Sequence, residues 1–285
     1  MKACLKPILE TITLAALLLS ISVQAYAQNR LDIEQVKDGL YVITGPGGNI
    51  GVRLTADGVI LIDDKFPQDF DEIQSLVASV SDMPVKYVIN THHHGDHSGS
   101  NASFLDFAEV IAHKNARDNI IRNNQDGAPR IIFVDETAVF LGGVEVQAFH
   151  MGTGHTNGDT VVYFPDLKTI HGGDLLHTTA PFIDYGNGGS SRGWVQTINR
   201  ILTLDFDTAI PGHGPVSDRR FVVNFRNQME AVRQRMANLI RGGLTAGDAA
   251  QRIQDPSLSW TQAADGLFMS RSIPGFYQEI SAELQ

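Results

Sequence analysis

The sequence predicts a mixed α/β (α+β) fold in which two β-sheets pack face to face and helices cover them on the outside. Strand-like segments come in two groups, one before residue 91 and one after residue 136, and each is followed by helical periodicity. Turn signals separate the strands: Gly45-Pro46-Gly47-Gly48 lies between the first two, and Asp57-Gly58 marks a hairpin. A chain of 285 residues, 42% of them hydrophobic, is long enough to bury a large core.

In order, residues 40–44, 50–54 and 59–62 read as three short strands. Phe70, Ile73, Val77 and Val80 recur at helical spacing, and Pro84 enforces a stop. Residues 85–90 form an apolar strand that runs straight into a histidine-rich loop. The second group comprises 137–141, 144–150, 160–164 and 169–171. Phe221, Phe225, Met229, Val232, Met236 and Leu239 trace one face of a long C-terminal helix, with Ser217 as its expected cap.

The first 27 residues stand apart. Lys2 and Lys6 give a positive start, residues 12–23 are apolar except for Thr13, Ser20 and Ser22, and Ala25-Tyr26-Ala27 ends the run in an A-x-A cleavage signature. The run is shorter than the roughly 20 residues of a membrane span. The expected organisation is a signal peptide, 1–27, and one folded domain, 28–285, exported to a bacterial periplasm or beyond with no stable membrane association after cleavage. The single cysteine, Cys4, falls in the segment to be removed, so a transition-metal site must be built from imidazole and carboxylate. A net charge of -10 argues against nucleic acid or an anionic membrane surface as partner and leaves a small-molecule substrate.

All ten histidines lie between His92 and His213, four of them within Thr91-His92-His93-His94-Gly95-Asp96-His97. In an extended segment alternate side chains point the same way, so His92 and His94 can converge on one ion. Gly95 permits a sharp turn, after which Asp96 and His97 can address a second. Three glycine-flanked loops follow apolar strands: Gly154-His155-Thr156-Asn157-Gly158-Asp159, Gly172-Gly173-Asp174 and Pro211-Gly212-His213-Gly214-Pro215. Each is weak alone; in this order, with the histidine run, they are specific.

This pattern of His-x-His-x-Asp-His, then His, then Asp, then His resembles the metallo-β-lactamase superfamily. The resemblance implies a four-layer αββα metallo-β-lactamase sandwich with two zinc ions at one edge of the sheets. It implies His92, His94 and His155 on the first zinc, Asp96, His97 and His213 on the second, and Asp174 bridging them. Zinc lowers the pKa of water to about 7, so hydroxide is available at neutral pH to attack a carbonyl. Asp96 is then expected to orient that hydroxide or carry its proton as well. Thr91, Asp63 and Asp64 are candidates to hold the ligating histidines from behind. His93 is not expected to ligate, and His113, His150 and His171 are assigned to structure.

The reaction expected is hydrolysis of a cyclic amide, ester or thioester, with β-lactams first in line. Asp174-Leu175-Leu176-His177 puts Asp and His where one group of zinc β-lactamases has Cys and Lys, which resembles type II glyoxalases and lactonases instead. Tyr185-Gly186-Asn187-Gly188 resembles the Gly-Asn element that assists β-lactam binding. His177, Asn187 and Trp194 are therefore candidate substrate contacts, and the 45–48 loop a candidate flap over the substrate. A mononuclear iron persulfide dioxygenase shares the fold; the presence of Asp96, His97 and His213 favours two metals.

Overall fold

The computed structural model describes residues 31–178, 181–255, 257–258 and 266–285; the expected signal peptide and its cleavage site lie outside them. Strands β1 (Asp32–Lys37), β2 (Leu40–Thr44), β3 (Ile50–Thr55) and β4 (Gly58–Ile62) form an antiparallel meander. Helix α1 (Phe70–Val80) then leads to β5 (Val85–Asn90), and β6 (Glu109–His113) and β7 (Ile131–Phe133) extend the sheet in parallel, with α2 (Lys114–Arg122) between them. The second sheet contains β8 (Glu136–Leu141), β9 (Val144–Phe149), β10 (Val161–Phe164), β11 (Thr169–His171), β12 (Thr208–Ile210) and β13 (Ser217–Asp218), in the order β13-β12-β11-β10-β9-β8. Helix α3 (Ser191–Ile201) joins β11 to β12, and α4 (Arg219–Arg241), α5 (Ala246–Arg252) and α6 (Ile273–Glu283) complete the chain.

Alternation along the strands makes the layers. In β4, Ile60 and Ile62 face the other sheet and meet Val146, Ala148, Val162 and Phe164, while Val59 and Leu61 face outward onto Ile73 and Val77 of α1. All five residues of β4 are buried, as a strand covered on both faces requires. The outer face of the second sheet, through Val161, Ile170 and Ala209, packs on Trp194 and Ile198 of α3, Phe225 and Met229 of α4, and Phe276 of α6. The result is the αββα sandwich expected from the sequence.

The expected strands and long helices are present, with ends shifted by a residue or so. The cap of α4 is corrected: Asp218, not Ser217, accepts the Phe221 N–H, at 2.8 Å, while the Ser217 hydroxyl turns to Pro215 O. Helix α1 stops at Ser81, whose extended backbone ends it three residues ahead of Pro84. Among the described residues no helix is long and apolar enough to cross a membrane.

Two parallel pairs, β4 with β5 and β11 with β12, end on the same edge of the sandwich. The segments leaving their carboxyl ends carry Asp63, the histidine run, Asp174 and His213; the β9–β10 connection adds His155. Ligand sites in open α/β sheets form at such ends, where chains diverge.

Candidate metal centre

The residues singled out in sequence converge there as two donor sets, His92, His94, His155 and Asp174 in one and Asp96, His97 and His213 in the other, with the second oxygen of Asp174 facing His97 and His213. In the first, His94 Nδ1 lies 3.1 Å from His92 Nε2 and 2.8 Å from His155 Nε2. Asp174 Oδ2 completes it, 3.8 Å from His92 Nε2 and 3.5 Å from His155 Nε2. In the second, His97 Nε2 and His213 Nε2 are 3.4 Å apart, and Asp174 Oδ1 lies 3.1 and 3.3 Å from them. Asp96 Oδ2 is 3.7 Å from His97 Nε2 and 3.3 Å from His213 Nε2. Four donors placed tetrahedrally at zinc bond lengths of 2.0–2.1 Å are roughly 3.3 Å from one another. The separations given above, 2.8 to 3.8 Å, bracket that spacing.

The tautomers fit a metal as well. Thr91 donates its N–H and its hydroxyl to Asp63, at 2.6 and 2.7 Å, so its oxygen is free to accept from His92 Nδ1 at 3.1 Å. His97 Nδ1 points at Asp63 Oδ2 (2.7 Å), His155 Nδ1 at the Phe182 carbonyl (2.6 Å) and His94 Nε2 at Asp184 Oδ2 (2.9 Å). Each of these four rings thus spends its N–H on an oxygen behind it and turns its other nitrogen's lone pair inward. In the first set, lone pairs 2.8–3.1 Å apart repel unless a cation or proton lies between them. The buried Asp174 Oδ1 has no hydrogen bond of its own, which also suits an ion there. Asp63 adopts the left-handed conformation (φ 67°) to reach Thr91 and His97 together, strain of the sort that collects at functional sites.

The two sets differ electrically. Burial drives His92 well below its ordinary pKa and His155 down to about 3, so both are neutral and ready to ligate. In the second set burial opposes the charged imidazolium, yet Asp174, Asp63 and Asp96 outweigh it and raise His97 well above the ordinary value. Asp174 and Asp96 likewise raise His213 to about 9 against its burial. Burial pushes Asp96 upward, but His97 and the hydrogen bond from His213 bring it down to about 2, leaving it ionised. His92, His97, His155 and Asp174 are buried; His94, Asp96 and His213 are half-buried and form the open side.

Of the residues expected behind the ligands, Thr91 and Asp63 are in place. Asp64 is not: it accepts the Ser100 N–H and touches none of the converging imidazoles, and burial raises its pKa well above the usual carboxylate range. His93 belongs to neither set: its Nδ1 faces Asn119 and its Nε2 lies 3.9 Å from Asp184 Oδ2. His113 and His150 stack on each other at 3.9 Å, and His171 bonds Asn49 O. The candidate substrate contacts are differently placed. His177 is buried with Nε2 3.2 Å from Asp174 Oδ2, its ring stacked on His213. Asn187 gives its amide N–H to Asp184 at 2.5 Å and its oxygen to Arg122. Trp194 is corrected to a core residue: it is 0% exposed, donates Nε1–H to Leu175 O and packs on His155 and Phe225.

The 45–48 loop is pinned rather than free. Lys65, wholly buried, donates to Pro46 O (3.1 Å) and Gly48 O (2.5 Å); its burial lowers the ammonium pKa to about 8. Gly48 N reaches Asp96 O, and the Asn49 side chain bonds Pro211 O and Gly214 O. Sequence reasoning missed Lys65 and Asp184. A lysine directly after Asp63-Asp64 was a visible signal for the first. Nothing local signalled the second.

A four-layer sandwich with two histidine–carboxylate donor sets at its edge defines a metal-dependent hydrolase class. The family profile described as the metallo-β-lactamase superfamily matches residues 43–213, and the chain belongs to that superfamily. It is 27% identical over 176 residues to a metallo-β-lactamase type 2 from Bacillus cereus (60% of this chain, 68% of that protein). It is 31% identical over 147 residues to the 2,4-dinitroanisole O-demethylase subunit alpha of Nocardioides sp. (strain JS1661), covering 50% of this chain but only 44% of that subunit. Among solved structures, a metallo-β-lactamase from Pontibacter korlensis superposes with TM-score 0.64 at 21% identity, over 70% of this chain and 99% of that one. The DIM-1 metallo-β-lactamase gives 0.63 at 19%, over 71% and 98%. At these identities the superpositions establish the fold.

Proposed function

We propose that the protein is a secreted dizinc hydrolase that opens a cyclic amide, ester or thioester, with β-lactams the leading substrate class. The observation that carries this is the pair of four-donor sets sharing Asp174, one oxygen turned to each. His92, His94, His155 and Asp174 would hold one zinc, and Asp96, His97, His213 and Asp174 the other. When bound, the ions would polarise a carbonyl and make water acidic enough to ionise near neutral pH.

The chain's own residues do the rest. Asp63, Thr91, the Phe182 carbonyl and Asp184 hold the imidazoles in the ligating tautomer. Asp96, ionised and on the open side, can take a proton from the attacking water and return it to the leaving group. His177, buried with Nε2 3.2 Å from Asp174 Oδ2, packs beside that carboxylate. Two relatives named metallo-β-lactamase, from Bacillus cereus and Chryseobacterium indologenes, support the β-lactam reading. Asp174, standing where one group of those enzymes has cysteine, supports a thioesterase or lactonase as the second reading. The charged start, apolar run and A-x-A signature of residues 1–27 support export.

The test is metal analysis of protein purified without added metal, paired with chromogenic cephalosporin, lactone and thioester assays. A nitroaryl ether belongs in the same panel because of the demethylase relative. About two zinc ions per chain and turnover of one carbonyl substrate are expected. A single iron with activity only toward a persulfide and oxygen would refute the hydrolase reading. The exported protein should begin at Gln28 by mass spectrometry; an intact Met1 would refute cleavage.

A further inference from the structure

The segment 182–191 makes three hydrogen bonds to His94 and His155 of the first donor set and five to Ser272 and Glu279 at the C-terminal helix. On its inner side the Phe182 carbonyl accepts from His155 Nδ1 (2.6 Å), Asp184 Oδ2 accepts from His94 Nε2 (2.9 Å), and Asp184 N donates to His155 O (2.9 Å). On its outer side Ile183 N donates to the buried Ser272 Oγ (2.9 Å) at the start of α6. Glu279, two turns on, gathers the Tyr185 hydroxyl (2.9 Å), the Ser190 hydroxyl (2.5 Å), and the Ser191 hydroxyl (2.5 Å) and N–H (3.0 Å). The Tyr185 ring lies flush on Gly275, where a Cβ would come within 2.3 Å of it. Arg233 of α4 stands 3.7 Å from Glu279 and bonds Glu283 at 2.6 Å, tying α6 down. Burial works against a charge on Glu279, but the three hydroxyls outweigh it and keep the carboxylate ionised.

This arrangement has a purpose beyond holding α6 to the core. Apolar contacts through Ile273, Phe276 and Ile280 already do that. A part-buried carboxylate with five donors, the fifth being the Arg192 N–H at 3.4 Å, adds direction, because charge-assisted bonds constrain position more tightly than apolar packing. What they constrain is a segment with no regular structure beyond one short turn, on which the orientation of two imidazoles depends. The helix lies beyond residue 213, where the family match ends.

We propose that α6 is a positioning element for the first metal's ligands, acting through Ser272 and Glu279 on the 182–191 segment that orients His94 and His155. The proposal rests on the two-metal reading above. Residues that orient ligating histidines are worth 10–100-fold in metal affinity when removed. Glu279 acts one contact further back, so the low end of that range applies.

The experiment uses the full chain and cobalt(II) titrated against a chelating indicator. A His213→Ala background isolates the first donor set, and a His94→Ala background isolates the second. Glu279→Ala should weaken cobalt binding at the first set about 10-fold and change its visible absorption, while the second set stays within about twofold. Tyr185→Phe, which removes one donor and keeps the ring on Gly275, should move the first set in the same direction by less, and serves if Glu279→Ala does not fold. Equal weakening at both sets, or none at the first in the variant that folds, would overturn the proposal. If the His213→Ala chain with Glu279 intact binds no cobalt at all, the two-metal reading itself fails, and the fault is seen before α6 is touched.

Discussion

Replacing Gly48 by alanine changes no donor, yet it should empty the second metal position. A Cβ at Gly48 would lie 2.2 Å from His97 Cε1 and 2.5 Å from Nε2. Carbon atoms in contact need roughly 3.5 Å, so one partner must retreat by more than about 1 Å. The loop is held: Lys65 grips Pro46 O and Gly48 O, Gly48 N bonds Asp96 O at 3.2 Å, and Asn49 N bonds Gly212 O at 2.7 Å. His97 therefore yields, pivoting on its 2.7 Å bond to Asp63 and carrying Nε2 away from Asp174 and His213. Ligating atoms tolerate about 0.2 Å, so the ring no longer serves as a donor. Second-site affinity should fall by about 10²-fold or more, equivalent to about 2.7 kcal/mol. Overpacking should lower the stability of the metal-free chain by about 1–3 kcal/mol as well. After dialysis against limiting zinc, the variant should retain one ion where the wild type retains two, with kcat/KM reduced accordingly. Two ions held at wild-type affinity would show that the loop and not His97 gives way, and the argument would fail.

Asp174→Ala should cost about 10²-fold or more in kcat/KM, since both sets lose a donor, with excess zinc restoring part of it; unchanged metal content and kinetics would remove Asp174 from the ligands. Asp174→Cys should keep or gain β-lactam turnover relative to lactone and thioester turnover if β-lactams are native substrates, because a thiolate binds one zinc but bridges poorly. Asp63→Ala leaves the Thr91 N–H, the Thr91 hydroxyl and His97 Nδ1 without an acceptor in the core, and by calorimetry should destabilise the fold by about 3–5 kcal/mol, whereas a loss below about 1 kcal/mol would contradict the network. In the metal-free chain His213, raised to about 9, contributes stability that is complete below the unfolded value near 6.5 and is lost as pH rises through 9. The metal-free Tm should therefore fall between pH 6.5 and 9 more than that of His213→Ala, and equal slopes would refute this.

The fold was legible because burial leaves a period in the sequence. Strands β2 to β5 and the face of α4 could be read from apolar spacing alone. Strand β1 could not: Asp32–Lys37 is mostly polar, with only Ile33 and Val36 packed against the core, and it is held largely by pairing along one edge of β2. Strand β12, with only Thr208–Ile210, is too short to show a period and owes its place to the parallel neighbour β11. The misplaced cap of α4 follows from the same limit. Ser217 and Asp218 are equally good capping residues, and the choice depends on β13 pairing with β12, which fixes where the extended chain ends.

The donor residues were legible for a different reason. Few side chains bind a transition metal, and glycine-flanked loops after strands advertise where they are. The residues read as substrate contacts carry no such restriction, and the structure shows where each is engaged. His177 faces Asp174, Asn187 steadies Asp184, and Trp194 packs behind His155. All three lie in or against the shell that supports the donors, a role that neither spacing nor composition distinguishes from touching substrate. Asp184 makes the limit plainest. It is separated from His94 by 90 positions and sits in no motif, yet with Phe182 it sets the direction of two imidazoles in the first donor set. That contact exists only once α3, α4 and α6 have packed around the 182–191 segment. The candidate donors are legible in the sequence, and their orientation is a property of the fold.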